Sequence, residues 1–175
     1  ILKSLEYFQF SFTDVIDILK GNKENFYISR SKLLKNLKLE DAKIEKIVLL
    51  APHLFADYPH GDGKDKFIDY YHALYETVQF ISGLEFMNVL WLVKPHPRSS
   101  DLGEQGIVEK VLKKYDNKYL RLCPKINTFN LIQVSDHVVT STGRIALEFA
   151  CYGKKPITSG INHISKYNLF ETSVS

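Results

Sequence analysis

The amino-acid sequence predicts an α/β fold, an open and mostly parallel sheet flanked by helices. Short continuous apolar runs, at residues 47–50 and 89–93, are typical of strands that are buried on both faces. They alternate with longer segments in which apolar residues recur at helical spacing. That alternation is the order of a parallel sheet whose strands are joined by right-handed crossover helices.

The composition is that of one globular domain. The chain has 175 residues, of which 45% are hydrophobic, and this suffices for a sizeable core. The formal net charge is +3 and the basic residues are scattered, which argues against nucleic acid and is compatible with a small anionic ligand. Both cysteines lie in apolar surroundings, as buried thiols of a reducing compartment do. No apolar run reaches the length of a membrane span.

Two helix-like segments precede the first strand. Residues 1–20 have apolar side chains at helical spacing, and residues 31–39 form a second, lysine-rich patch. We therefore predict a helical linker or interdomain segment at residues 1–45 and a Rossmann-like domain at residues 46–175. Because the chain begins with Ile1 inside a helical pattern, we expect it to be part of a longer protein with a preceding domain.

Five strands and their connecting helices follow from residue 46. We predict strands at 47–50, 89–93, 119–123, 137–140 and 156–158. The expected helices cover 67–83, 106–115, a short segment capped by Asn127 that ends at 134, and the segment from the turn at 141–143 to Gly153; a broken element lies at 167–170.

This fold predicts where a ligand lies. In open α/β sheets, ligands bind outside the carboxyl ends of the strands. The polar residues that suit binding or catalysis fall mostly in the loops at that edge, which are 52–64, 94–100, 124–128, 141–143 and 159–163.

The turn after the fourth strand is the first candidate site. Ser141, Thr142 and Gly143 lead into a helix, and the first N–H groups of a helix attract phosphate. With Arg144 and with Glu148, five residues beyond Gly143, they form the candidate phosphate and ribose end of a nucleotide site. The pattern is equally compatible with an ordinary βαβ unit whose helix begins with a Ser/Thr cap.

The second candidate is the segment Lys-Pro-His-Pro-Arg at residues 94–98. Two prolines hold His96 on a stiff, extended backbone, and Lys94 and Arg98 alternate with it on one face. A rigid imidazole there could hydrogen-bond a phosphate oxygen or stabilise a leaving nucleotide. The alternative is a turn histidine that binds a neighbouring carbonyl.

The loop after the first strand contains His53, Asp57 and His60. Their spacing is compatible with zinc, but no regular element fixes the geometry. We favour substrate contact, with Asp57 or His60 as a general acid or base, over a metal site. A solvated loop is the remaining interpretation.

The ordered motifs, Lys94-Pro-His-Pro97, Ser135-Asp136 and Ser141-Thr142-Gly143, resemble the carboxyl-terminal half of GT-B glycosyltransferases. More narrowly, residues 46–160 resemble bacterial capsule and surface-polysaccharide biosynthesis proteins. Thr140 departs from this resemblance, because many GT-B enzymes have a glutamate at that position. An Asp-x-Asp motif is absent from the sequence, in agreement with a metal-independent GT-B enzyme.

The resemblance implies roles for individual residues. His96 matches the histidine of the family's His-Pro motif, and Ser141 with Thr142 match the turn that holds the phosphate of a cytidine donor. Glu148 is similar to the GT-B glutamate that binds the ribose hydroxyls. Together with the candidates from the residues themselves, the predicted catalytic residues are His96, Asp57 and His60. The predicted donor contacts are His53, Lys94, Arg98, Ser141, Thr142, Gly143, Arg144 and Glu148.

The implied function is the donor-binding half of a glycosyltransferase or glycerophosphotransferase in capsular polysaccharide synthesis. Its ligand would be a CMP-sugar or another cytidine- or uridine-linked donor, with no further cofactor and no metal. The partners would be a glycan or lipid-linked acceptor and the preceding domain, in the cytoplasm at the inner face of the cell membrane, with peripheral membrane association. We expect the chain alone to bind nucleotide weakly and to catalyse nothing. A nucleotide-sugar 2-epimerase-like enzyme and a non-catalytic module of a polysaccharide assembly are the alternatives.

Overall fold

The computed structural model describes residues 28–57, 67–84 and 88–159, and the backbone of residues 171 and 172. Helices and strands alternate along these ranges. The helices are α1 (Arg30–Asn36), α2 (Tyr70–Ser82), α3 (Ile107–Leu112), α4 (Thr128–Val134) and α5 (Ile145–Cys151). The strands are β1 (Lys46–Ala51), β2 (Val89–Val93), β3 (Leu120–Leu122), β4 (His137–Thr140), β5 (Ile157–Thr158) and β6 (Glu171–Thr172).

The strands form one sheet in the order β3-β2-β1-β4-β5-β6, and each neighbouring pair is parallel. The chain builds outward from β1 to β3 and then returns to the other side of β1 with β4. This arrangement confirms the predicted open parallel sheet and has the strand order of a Rossmann fold. The change of direction lies between β1 and β4, so the loops after these two strands diverge and leave a crevice.

Helices cover both faces of the sheet because alternate strand residues point to opposite sides. On one face, Ile47 and Leu49 of β1 belong to an apolar cluster with residues from α1, α4 and α5. On the other face, Leu50 belongs to a cluster with residues from α2 and α3. These two buried layers are the core that holds the strand ends in place.

Three helices begin where a short polar side chain accepts a hydrogen bond from the first turn. Ser29 accepts from the backbone N–H of Lys32, Asp69 from that of His72 at 2.7 Å, and Asn127 from that of Asn130. The predicted Asn127 cap is therefore confirmed. Because Asp69 caps α2, this helix begins at Tyr70 and not at residue 67.

Some sequence predictions lie outside the described residues, namely the helix at 1–20 and the broken element at 167–170. The division at residue 45 stays a prediction, although Leu33 of α1 is fully buried in the same cluster as Ile47. The strand β6 was not predicted. In the ranges that the structure describes, none of the helices has the length and apolar character needed to cross a membrane.

Candidate functional site

The carboxyl ends of β2, β1 and β4 lie side by side. Val93 pairs with Leu50, and Ala51 pairs with Thr140. Lys94 therefore follows β2, Pro52 follows β1 and Ser141 follows β4 at one edge of the sheet. Because neighbouring strands are about 4.8 Å apart, about 10 Å separates the ends of β2 and β4. The loops after β1, β2 and β4 therefore converge on one edge of the sheet, as the fold prediction required.

His96 is half-buried at this edge, and its ring is oriented by its own loop. The backbone N–H of Arg98 donates to Nδ1 of His96 at 3.2 Å. An accepting Nδ1 carries no proton, so the neutral ring has its proton on Nε2 and can donate from there. Burial, followed by the charges of His53 and Arg98, lowers the pKa of His96, and Asp57 and Glu104 partly oppose this shift. His96 is therefore a neutral hydrogen-bond donor at pH 7.

His53 comes from the neighbouring loop and lies close to His96. The two ring centroids are 6.1 Å apart. The His53 ring stacks on Tyr70, the first residue of α2, with 4.5 Å between centroids. Its Nδ1 lies 3.9 Å from a carboxylate oxygen of Asp57, whose side chain is 55% exposed. The structure thus brings His53, Asp57 and His96 together, and their roles stay a prediction. His60 lies outside the described residues.

The segment from Lys94 to Arg98 is not extended throughout. The extended segment ends at His96, because the backbone N–H of Ser99 donates to the His96 carbonyl and turns the chain. Arg98 is carried to the surface, where its Nε lies 3.3 Å from a carboxylate oxygen of Asp101. Lys94 points towards α4, with its Nζ 3.2 Å from the hydroxyl of Thr128. The expected single row of cations was wrong for this reason.

The turn after β4 is shaped by contact between side chain and backbone. The hydroxyl of Thr140 donates to the carbonyl of Ala51 at 2.7 Å and ties the end of β4 to the end of β1. A Cβ at Gly143 would lie only 2.8 Å from that hydroxyl oxygen. Glycine is therefore required here for close packing, and Thr140 has a structural role where many GT-B enzymes have glutamate.

The residues beyond Thr140 differ in accessibility. Ser141 is buried, Thr142 and Gly143 are half-buried, and Arg144 is exposed. Helix α5 begins at Ile145 with no side-chain cap, so the Ser/Thr cap of the alternative interpretation is absent. Glu148 is half-buried in the first turn of α5.

Glu104 also lies at this edge, and no sequence motif marked it as part of the candidate site. Glu104 is 7% exposed, and its Oε1 accepts a hydrogen bond from the backbone N–H of Ala56 at 2.6 Å. It lies in a turn-rich loop whose sequence resembles any solvated connection. The contact joins residues 48 positions apart, which local sequence patterns do not reveal.

The motif residues Ser135 and Asp136 lie at the opposite edge of the sheet. A carboxylate oxygen of Asp136 accepts from the backbone N–H of Ile47 at 2.7 Å and from Arg30 at 3.1 Å. Asp136 thus joins α1 to the amino ends of β1 and β4. In this chain the Ser-Asp pair is a structural anchor, away from the loops that carry His53 and His96.

In the described part of the chain, one cavity borders the amino edge of the sheet and another borders its carboxyl edge. The larger, about 300 Å³, lies at the amino edge beside Arg30, Asp136 and Lys154, whose charged groups bind one another or backbone carbonyls. The smaller, about 30 Å³, lies at the carboxyl edge beside Tyr70, Thr140 and Ser141, and has room for about one water molecule. We place the candidate site at the carboxyl edge because the histidines and the crevice are there.

Metal ligands do not cluster in the described ranges. Groups of three or more His, Cys, Asp or Glu side chains that could hold a metal ion are absent there. The thiol of Cys123 is buried beside β2, and burial raises its pKa to about 11, with Lys94 opposing the shift. It is therefore a neutral thiol at physiological pH.

The likeness of this chain to known proteins lies in its fold. No family model matches the chain, and no curated protein matches it in sequence. Among solved structures, the chain is similar to KpsC, beta Kdo 2,4 transferase, of Thermosulfurimonas dismutans, with a TM-score of 0.51 and 17% identity over 83% of this chain and 47% of that one. It is also similar to KpsC, beta Kdo 2,7 transferase, of the same organism, with a TM-score of 0.51 and 19% identity over 98% of this chain and 50% of that one.

The chain spans about half the length of these two structures. Identities below 20% show the fold and no more. At that level the expected open parallel α/β fold is confirmed, and the chain shares its fold with these two Kdo transferases.

Proposed function

We propose that this chain is the donor-binding half of a GT-B glycosyltransferase that acts in capsular or surface polysaccharide synthesis. The observation that carries the proposal is the meeting of His53 and His96, 6.1 Å apart, at the carboxyl edge beside the crevice between β1 and β4. Ligands of Rossmann-like sheets bind at that place. The donor would be a nucleotide sugar, linked to cytidine or uridine.

In this proposal His96 contacts the donor phosphate. Its Nε2–H donates to a phosphate oxygen and stabilises the negative charge that grows as the sugar leaves. Ser141, Thr142 and Gly143 would supply further contacts from the other side of the crevice. Glu148, in the first turn of α5, would bind the ribose, as the resemblance implies. No metal or further cofactor takes part in the proposed reaction.

The acceptor would be a glycan or a lipid-linked glycan at the inner face of the membrane. In GT-B enzymes the second half supplies the acceptor site, and closure of the cleft excludes water. The exposed carboxylate of Asp57 lies 3.9 Å from His53 and is the candidate for a general base among the described residues. These assignments rest on the fold and on the resemblance of the motifs.

Isothermal titration of the protein with CMP, UDP and AMP tests the donor site. We expect CMP or UDP to bind more tightly than AMP, and His96→Ala to weaken binding by about tenfold, which corresponds to the loss of one hydrogen bond to a charged group. His137→Ala is the matched control, because His137 begins β4 at the opposite edge. Equal affinity of the His96→Ala and wild-type proteins, or no binding of either pyrimidine nucleotide, would contradict the proposal.

Product analysis separates the alternatives. A 2-epimerase would convert a nucleotide sugar in the absence of any acceptor. A non-catalytic module would leave polymer synthesis intact in cells that carry His96→Ala. Loss of polymer in these cells, without acceptor-independent epimerisation, is the outcome expected for a transferase.

A further inference from the structure

Glu104 is a buried residue of the loop after β2, and its carboxylate contacts the loop after β1. At 2.6 Å, its bond with the backbone N–H of Ala56 is short, as expected when the acceptor is ionised. An unpaired carboxylate is rarely buried, because burial without partners is costly. The position of Glu104 is therefore a defined part of this edge of the sheet.

The loop after β2 returns Glu104 to the neighbourhood of His96. The backbone N–H of Ser99 donates to the His96 carbonyl at 3.0 Å, and the N–H of Glu104 donates to the Ser99 carbonyl at 2.8 Å. Two successive hydrogen bonds thus connect the backbone of His96 with that of Glu104. The side chain of Glu104 then crosses to the loop after β1.

Ala56, the partner of Glu104, lies between His53 and Asp57. The backbone N–H of Asp57 donates to the Leu54 carbonyl at 3.4 Å, so this short loop is itself a turn. One carboxylate therefore ties the turn that carries His53 to the loop that carries His96.

We propose that Glu104 is a positioning residue that holds the His53 and His96 rings at their working separation at the donor site. The inference rests on the proposed nucleotide-binding function of these loops. Without the Glu104 carboxylate, the Ala56 N–H loses its partner and the two loops lose a buried side-chain hydrogen bond that joins them.

The charge of Glu104 also affects the pKa of His96, which can be measured separately from nucleotide affinity. Four neighbouring groups act on His96: His53 and Asp57 on the loop after β1, and Arg98 and Glu104 on its own loop. The two carboxylates raise the pKa of His96, and burial, His53 and Arg98 lower it. Removal of the Glu104 charge should therefore lower the pKa of His96 further.

The variants Glu104→Gln and Glu104→Ala separate position from charge. The Gln amide oxygen can still accept from the Ala56 N–H but carries no charge. We expect E104Q to bind CMP or UDP within about threefold of wild type, with the His96 ring titrating at lower pH by NMR. We expect E104A to bind about tenfold more weakly and to lose the contact between the His53 and His96 rings, seen as nuclear Overhauser effects.

Glu45 provides the matched control. It is an exposed glutamate that precedes β1, and its side chain accepts a hydrogen bond from Asn88 at the opposite edge. Glu45→Gln and Glu45→Ala should change neither nucleotide affinity nor the titration of His96. Circular dichroism of all four variants checks that they are folded.

Several outcomes would overturn the proposal. One is wild-type affinity and unchanged ring contacts in E104A; another is an unchanged His96 titration in E104Q. If E104A does not fold, the test rests on E104Q, whose amide oxygen can still accept a hydrogen bond from the Ala56 N–H. A nucleotide affinity of E104Q more than tenfold below that of wild type would then contradict the proposal. If the wild-type protein binds neither CMP nor UDP, the proposed function is wrong. The contacts between the His53 and His96 rings and the NMR titration of His96 then still test the role of Glu104.

Discussion

Gly143 and Thr140 occupy adjoining space at the end of β4. The Cβ of an alanine at residue 143 would lie 2.8 Å from the Thr140 hydroxyl oxygen, which is itself fixed by its bond to Ala51. We expect Gly143→Ala to lower the free energy of unfolding by about 1–3 kcal/mol, the usual cost of overpacking. Urea unfolding measures this change.

Gly83→Ala is the control for this substitution. Gly83 ends α2 in a right-handed conformation, and an added Cβ would meet its nearest neighbour at an ordinary 3.6 Å. Its unfolding free energy should stay within about 1 kcal/mol of wild type, or rise slightly. Equal destabilisation by both substitutions would show that crowding at Thr140 is not the cause.

The neutral state of His96 predicts a pH dependence of nucleotide binding. Burial lowers the pKa of free His96 below 6.5, and an adjacent phosphate should raise it. Binding then takes up a proton, so affinity should increase as pH falls from the bound pKa to the free pKa, and level off below that. Since phosphate itself titrates at about pH 6, the wild-type curve is compared with that of His96→Ala. Parallel curves would contradict the phosphate contact.

At the scale of elements, Asp136 joins three of them. Its carboxylate accepts from the Ile47 N–H in β1 and from Arg30 in α1, and it directly precedes β4. Asp136→Ala leaves the Ile47 N–H without this partner, so we expect a loss of about 1–3 kcal/mol in the free energy of unfolding. Thermal or urea unfolding provides the measurement.

Asp101→Ala removes a comparable ion pair at the surface. The Arg98–Asp101 pair has both side chains more than half exposed, and such pairs contribute about 0–1 kcal/mol. A loss for Asp136→Ala no larger than that for Asp101→Ala would argue against Asp136 as an anchor of the sheet.

The elements themselves were largely predictable from sequence, because their signals are local. The apolar run of β1 and the Asn127 cap each depend on a few neighbouring residues. The contacts of Asp136 and Glu104 were not predictable, because they join residues 89 and 48 positions apart. The convergence of the candidate loops on one edge was therefore predictable, whereas the hydrogen bonds that join these loops required the structure.

At the scale of the whole molecule, the described residues at the carboxyl edge enclose little space. The cavity at the carboxyl edge has a volume of about 30 Å³, far less than a nucleotide sugar needs. The chain also spans only about half of the KpsC structures that share its fold. Both facts fit the proposal that a second half faces these loops.

We therefore expect the 175-residue chain alone to bind CMP or UDP weakly and to transfer no sugar. The test incubates the isolated chain with CMP- and UDP-sugars and a glycan acceptor, and separates the products by mass spectrometry. Nucleotide binding is measured on the same preparation, so that an inactive chain is distinguished from a misfolded one. Sugar transfer by the isolated chain would show that no second half is needed.

The bond between the Thr140 hydroxyl and the Ala51 carbonyl has a consequence for variation among related sequences. Any side chain that replaces hydrogen at residue 143 needs space now taken by threonine at residue 140. These two positions should therefore change together: a larger residue at 143 should accompany a smaller one at 140, together with another way to join the tips of the two central strands.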